Sequence, residues 1–148
     1  MINILVIHGP NLNLLGEREA EWYGETTLGF INEAIIQEVK KLNCKVRIEQ
    51  SNLEGEIINL IQNSKKWAQG IIINPAAYTH TSVGIRDALL AVNLPAVEVH
   101  LSNIYKREEF RHKSFVASVC IGRICGFGPS GYILALKGLI SFLKKEKV

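Results

Sequence analysis

Short apolar runs alternate with segments of helical periodicity along the whole chain, and that alternation constrains the fold more than any other feature. Residues 2–7 (INILVI), 45–50 (KVRIEQ), 70–74 (GIIIN), 95–100 (PAVEVH) and about 118–124 (SVCIGRI) read as five strands. The first, third and fourth are apolar enough to be buried on both faces, the mark of a parallel sheet. Leu28, Ile31, Ile35, Val39 and Leu42 recur at helical spacing behind Thr26 and Thr27, either of which could cap a helix. The stretches 56–66, 82–92 and 130–144 stack Ile57 and Ile61, Ile85 and Leu89, and Tyr132, Leu136 and Leu139 in the same way. With no repeat and no composition break, the simplest parse is one domain, residues 1–148, of β-α-β-α-β-α-β-loop-β-α order. Right-handed crossovers turn that order into an α/β fold: a flavodoxin-like, doubly wound parallel five-stranded sheet, order 2-1-3-4-5, in three αβα layers.

Composition agrees with a self-sufficient core. A chain of 148 residues, 47% hydrophobic and 21% charged, buries roughly 70% of its unfolded surface and needs no disulfide or metal to fold. Seventeen Lys and Arg against fourteen Asp and Glu leave a net charge of +3, much of it on Lys144, Lys145 and Lys147. A solvated tail accounts for that charge better than a nucleic-acid surface does, so no nucleic-acid partner is expected. Cys44, Cys120 and Cys125 are odd in number and form no CxxC pair, which favours buried free thiols in a reduced, cytoplasmic setting. The opening MINILVIHG has no signal-peptide pattern, and no apolar run is long enough for a membrane span.

In a doubly wound sheet, ligands bind beyond the carboxyl ends of the strands, where connections diverge to opposite faces. His8, Pro10 and Asn11 follow the first strand; Asn74 ends the third, with Tyr78, Thr79 and His80 behind it; His100 ends the fourth, followed by Ser102 and Asn103. Three histidines, with Asn11 and Asn74, therefore converge on one rim, although a single histidine at a strand end is more often a structural one. The connection from His8 to about Thr26 is far longer than the roughly 2–6 residues usual for such a loop, which suggests a lid. Within it, Arg18 could stabilise the phenolate of Tyr23 and make it a general base. The spacing alone equally allows Arg18 to pair with a glutamate and Tyr23 to pack on the surface.

Other chemistries lack their residues. Gly9 to Gly16 is followed by Glu17 and not by Lys-Ser/Thr, so no nucleotide P-loop is present. GFGPSG (Gly126 to Gly131) has the dinucleotide spacing, but no later strand could carry the acidic ribose ligand, and a tight strand-to-helix turn is the better reading. His8, His80, His100 and His112 are not spaced as metal ligands, and no nucleophile elbow surrounds a serine. The lysines fall on helix faces, chain ends and a loop, which disfavours imine catalysis. What remains is proton transfer by Tyr and His, with Arg and Asn to hold anionic or hydroxylated groups.

The segments GPNLNLLGERE and WYG (Gly9 to Gly24), QSNLEGE (Gln50 to Glu56), NPAAYTHTSVGIRDAL (Asn74 to Leu89) and VEVHLSNIYKREEFRHKS (Val97 to Ser114) closely resemble the type II 3-dehydroquinate dehydratases, in order and over almost the whole chain. The resemblance implies a flavodoxin-like lyase that removes water from 3-dehydroquinate to give 3-dehydroshikimate, in the shikimate route, with no cofactor, metal or Schiff base. It implies Tyr23 as base with Arg18 as its activator, His100 as general acid with Glu98 beside it, and Asn11 holding a water that stabilises an enolate. Leu101 and Ser102 would bind the substrate carboxylate, and Asn74, His80 and Arg111 its ring hydroxyls. A homododecamer of four trimers is implied as well, with Asp87 reaching a neighbouring subunit's site. Ala20, Ala76 and Gly84 depart from the family's usual proline, glycine and alanine, and loss of the proline should loosen the lid. Two other readings fit the fold and the glycine turn alone: a non-catalytic module holding flavin or nucleotide, and an inactive scaffold.

Overall fold

The computed structural model describes residues 1–17, 21 and 26–146. Five parallel strands, β1 (Asn3–His8), β2 (Lys45–Gln50), β3 (Gly70–Asn74), β4 (Ala96–His100) and β5 (Gly122–Cys125), form one sheet in the order β2-β1-β3-β4-β5. Helices α1 (Leu28–Lys41), α2 (Glu54–Ser64), α3 (Val83–Val92) and α4 (Ser130–Lys144) cover it. This is the flavodoxin-like, doubly wound arrangement expected from the alternation of strand and helix patterns.

Successive strand residues point to opposite faces, so the apolar runs feed two cores. Ile4, Val6 and Ile72 pack with Ile31, Ile35, Leu136 and Leu139 of α1 and α4. Leu5, Ile7, Ile71 and Ile73 pack with Ile57, Ile61, Ile85 and Leu89 of α2 and α3. β3 and β4 are buried throughout, and so is β1 beyond Asn3, as their unbroken apolar runs require. Because α1 leaves β1 for one face and α3 leaves β3 for the other, a crevice opens at the carboxyl ends of these adjacent strands.

Local chemistry sets the element ends. Thr27, not Thr26, caps α1, its Oγ1 accepting from the Phe30 N–H at 3.2 Å, and Ser82 caps α3 by accepting from Ile85 N–H at 2.9 Å. Gly126 and Gly128, at φ 97° and 57°, make the GFGPSG run the tight turn from β5 into α4. The fifth strand is shorter than the pattern over 118–124. Residues Ala117–Val119 close a 3-10 turn instead, and pairing begins only at Gly122, opposite Val97. A strand needs a neighbour, and β4 offers one only from Ala96 onward.

Candidate active site

A cleft of about 150 Å³ sits at the carboxyl ends of β1, β3 and β4. Asn11, Asn74, His80, His100, Leu101, Ser102 and Arg111 all line it, so seven of the expected site residues meet on one rim. Glu98 lies directly behind His100. Asp87 is exposed on α3 and is not among the described residues lining this cleft. Arg18, Tyr23 and the lid position Ala20 lie outside the described residues.

The rim is assembled by close backbone approach. A Cβ on Gly9 would come within 2.6 Å of the Pro75 carbonyl, so glycine lets the chain leaving β1 cross the end of β3. Gly9 N–H donates to the Asn74 carbonyl at 2.8 Å, and Gln50 Nε2 at the end of β2 donates to the Gly9 carbonyl at 3.2 Å. Asn11 takes the left-handed φ of 68°, which asparagine tolerates better than most residues, and its N–H donates to Asn52 Oδ1 at 3.0 Å. Ala76 holds φ 50°, a conformation that costs a non-glycine residue about 1–3 kcal/mol.

Glu98 is the electrostatic centre of the site and has no solvent exposure. Its Oε2 accepts from His100 Nε2 at 2.5 Å and from Thr79 Oγ1 at 2.5 Å, and its Oε1 accepts from Ser114 Oγ at 2.9 Å. Arg123 Nε stands 3.3 Å from Oε1. Burial works to raise the Glu98 pKa, but the hydrogen bond and charge of His100, backed by Thr79 and Arg123, outweigh it and hold the carboxyl below its ordinary value. Glu98 is therefore an anion that fixes the His100 ring by its Nε2–H and leaves Nδ1 for chemistry.

His80 faces His100 with ring centroids 6.4 Å apart. Its Nδ1 donates to the Lys113 carbonyl at 2.7 Å, since a carbonyl only accepts. Burial lowers its pKa, with the positive neighbours His100, Arg111 and Arg123 adding to the effect against the Lys113 hydrogen bond. A neutral His80 with its proton on Nδ1 presents Nε2 as an acceptor, suited to a hydroxyl.

Beneath the cleft runs a second, uncharged network. Asn32 Oδ1 accepts from His8 Nε2 at 2.8 Å, which places the His8 proton on Nε2. Tyr132 Oη then donates to His8 Nδ1 at 2.9 Å and accepts from Asn74 Nδ2 at 3.1 Å, while Ala76 N–H donates to Asn74 Oδ1 at 3.0 Å. The Asn74 amide is thereby fixed in one orientation. Burial pushes His8 down to about 4, against the pull of its Asn32 bond, and raises the Tyr132 phenol. Both stay neutral near pH 7.

Several contributors escape a reading of motifs alone. Arg107 lines the cleft, Arg123 reaches Glu98 from the next strand, and Thr79 and Ser114 complete the carboxylate's partners. Thr79 and Ser114 stand within the recognisable segments, but nothing in their spacing says that both turn to Glu98. Arg123 is legible only through the β4–β5 register, which sets it opposite Glu98. Among the described residues no three His, Cys, Asp or Glu side chains gather as a metal site, and no helix is long and apolar enough to cross a membrane.

The profile of the family described as Dehydroquinase class II matches residues 2–140. The 3-dehydroquinate dehydratase of Trichodesmium erythraeum is 57% identical over 146 residues, covering 99% of this chain and 97% of that protein. The protein of the same name from Dictyoglomus turgidum is 52% identical over 145 residues, covering 98% of this chain and all of its own. Among solved structures, the type II dehydroquinase from Butyrivibrio crossotus superposes with a TM-score of 0.92 at 48% identity, over 93% of this chain and 97% of that one.

Proposed function

The chain belongs to the class II dehydroquinase family, and from that premise we propose how its residues carry the dehydration of 3-dehydroquinate to 3-dehydroshikimate in the shikimate route. The observation that carries the assignment of roles is the meeting of seven expected residues on one cleft with Glu98 ionised behind His100. The substrate is a β-hydroxy ketone, so loss of the proton next to the ketone gives an enolate whose electrons can expel the hydroxyl. Tyr23, as the phenolate stabilised by Arg18, takes that proton. Asn11 holds a water against the enolate oxygen, supplying a donor where negative charge develops. His100, oriented by Glu98, delivers its Nδ1 proton to the departing hydroxyl, which leaves as water by anti elimination.

Leu101 and Ser102 bind the carboxylate, largely through backbone N–H groups. Asn74 offers an N–H and His80 a lone pair to the ring hydroxyls, and Arg111 adds a cationic donor. The reaction needs no Schiff base. The 148 residues act as a single catalytic domain in the cytoplasm, and the exposed Asp87 reaches a neighbouring subunit's site within a trimer, four trimers making a dodecamer.

The test follows the ultraviolet absorbance of the conjugated enone when the protein meets 3-dehydroquinate, with chelator present and with Tyr23→Phe alongside. The expected outcome is a rise that survives chelator and falls by about 10²-fold or more in the variant. A folded wild type that produces no enone overturns the activity; a fully active Tyr23→Phe overturns the base.

A further inference from the structure

We propose that Arg123 is a positioning residue that eases proton donation by His100, by holding a fixed positive charge against Glu98. The proposal rests on the proton-donor role given to His100 above. β4 and β5 run in register with Glu98 opposite Arg123, so the guanidinium reaches the carboxylate from the neighbouring strand. Its side chain is 15% exposed and that of Glu98 not at all, which keeps water from screening the pair fully.

The surroundings leave few other charges to do this work. Thr79 and Ser114 reach Glu98 with neutral hydroxyls. Burial, with the Glu98 charge adding to it, raises the Cys120 thiol to about 12, and burial also raises Cys125, so both face the carboxylate uncharged. His80 faces His100 and is held toward its neutral form by burial. Arg111 lies on the cleft side and is paired with Glu108 at 2.7 Å, and Arg107 lies 3.9 Å from the same glutamate. Among the described residues, Arg123 is thus the arginine in ion-pair contact with Glu98.

The consequence appears when the proton leaves. Before transfer, Glu98 faces a cationic His100; after transfer it would stand as an anion in a fully buried place, and a lone buried carboxylate pulls the proton back. A permanent charge on Arg123 balances it in both states. Without that charge the His100–Glu98 pair holds its proton more tightly, so His100 donates less readily. The contact works by charge and not by a directed hydrogen bond: Arg123 Nε is 3.3 Å from Glu98 Oε1 but not aligned on it, and among the described residues only its Nη1 finds an acceptor, Tyr105 Oη at 3.4 Å. Lysine should therefore substitute, as it does not at forked arginine sites.

The experiment compares kcat as a function of pH for the wild type, Arg123→Gln and Arg123→Lys. In Arg123→Gln the basic limb moves up by about one pH unit and plateau kcat falls, with KM little changed. Arg123→Lys keeps the wild-type limb. An unshifted limb in Arg123→Gln overturns the proposal, and so does a limb in Arg123→Lys that moves as far as that of Arg123→Gln. Should Arg123→Gln fail to fold, Arg123→Lys decides alone: a retained limb supports the charge and a shifted one overturns it. A wild type that does not dehydrate 3-dehydroquinate refutes the activity itself and is a different result.

Discussion

His8 and His100 end the two strands that flank β3, both are buried, and in sequence they are equivalent. Their chemistry is opposite. His8 meets a phenol and an amide, burial dominates, and the ring is held neutral. His100 meets a carboxylate that hydroxyls and an arginine keep ionised. The fold supplies the position, but the side chain on the facing element decides whether a histidine at a strand end is held as a neutral spacer or set against a charge.

The comparison breaks most visibly at Glu98. Glu98→Gln keeps the shape and removes the anion that fixes the imidazole ring, so kcat should fall by about 10²- to 10⁴-fold. Steady-state kinetics on a variant shown to be folded by its circular dichroism measures this. A Gln variant with near wild-type kcat would place His100 in the same structural class as His8.

The neutral histidine should declare itself in stability instead. With a folded pKa of about 4 against 6.5 unfolded, His8 binds fewer protons in the folded state between those values. Its contribution is present above pH 6.5 and is lost as pH falls toward 4, on the order of 3 kcal/mol in all. Glu98, with its folded pKa lowered, loses its contribution in a more acidic window, as pH falls below its unfolded value and through its folded one. His80 shifts in the same direction as His8, so the informative quantity is a difference. Urea denaturation between pH 4 and 7 should show a flatter dependence for His8→Gln than for the wild type. Equal slopes would mean that His8 is not held neutral.

How much of this was legible in the sequence follows from what each feature depends on. Strand order and the two-sided burial of β1, β3 and β4 follow from local apolar runs and crossover handedness, and both were readable. The ends of β5 were not, because pairing length depends on β4, which is distant in the chain. The rim residues were readable because three strand ends must lie side by side in a doubly wound sheet, and the recognisable segments then gave them roles. Partners across the sheet were not: Arg123 on Glu98, and Tyr132 between His8 and Asn74, join residues 25 and 124 apart at the widest in each cluster. No periodicity encodes which of several polar side chains turns inward to meet them.

The finest test of the comparison is the Tyr132 hydroxyl. Among the described residues it joins the His8 and Asn74 side chains, donating to one and accepting from the other. Tyr132→Phe keeps the ring that fills the core beside α4 but leaves a buried imidazole nitrogen and an amide N–H without their partner, at a cost of about 1–3 kcal/mol in stability. Asn74 would still be held at its Oδ1 by the Ala76 N–H, so its amide is loosened and not lost. The reaction should register this as weaker substrate binding: KM rises severalfold, kcat stays within about twofold, and the pH limbs stay in place. That pattern is the inverse of the one expected at Glu98, where kcat carries the loss. If Tyr132→Phe instead lowers kcat as far as Glu98→Gln does, the uncharged network takes part in proton transfer, and the division between a histidine that positions and a histidine that reacts fails.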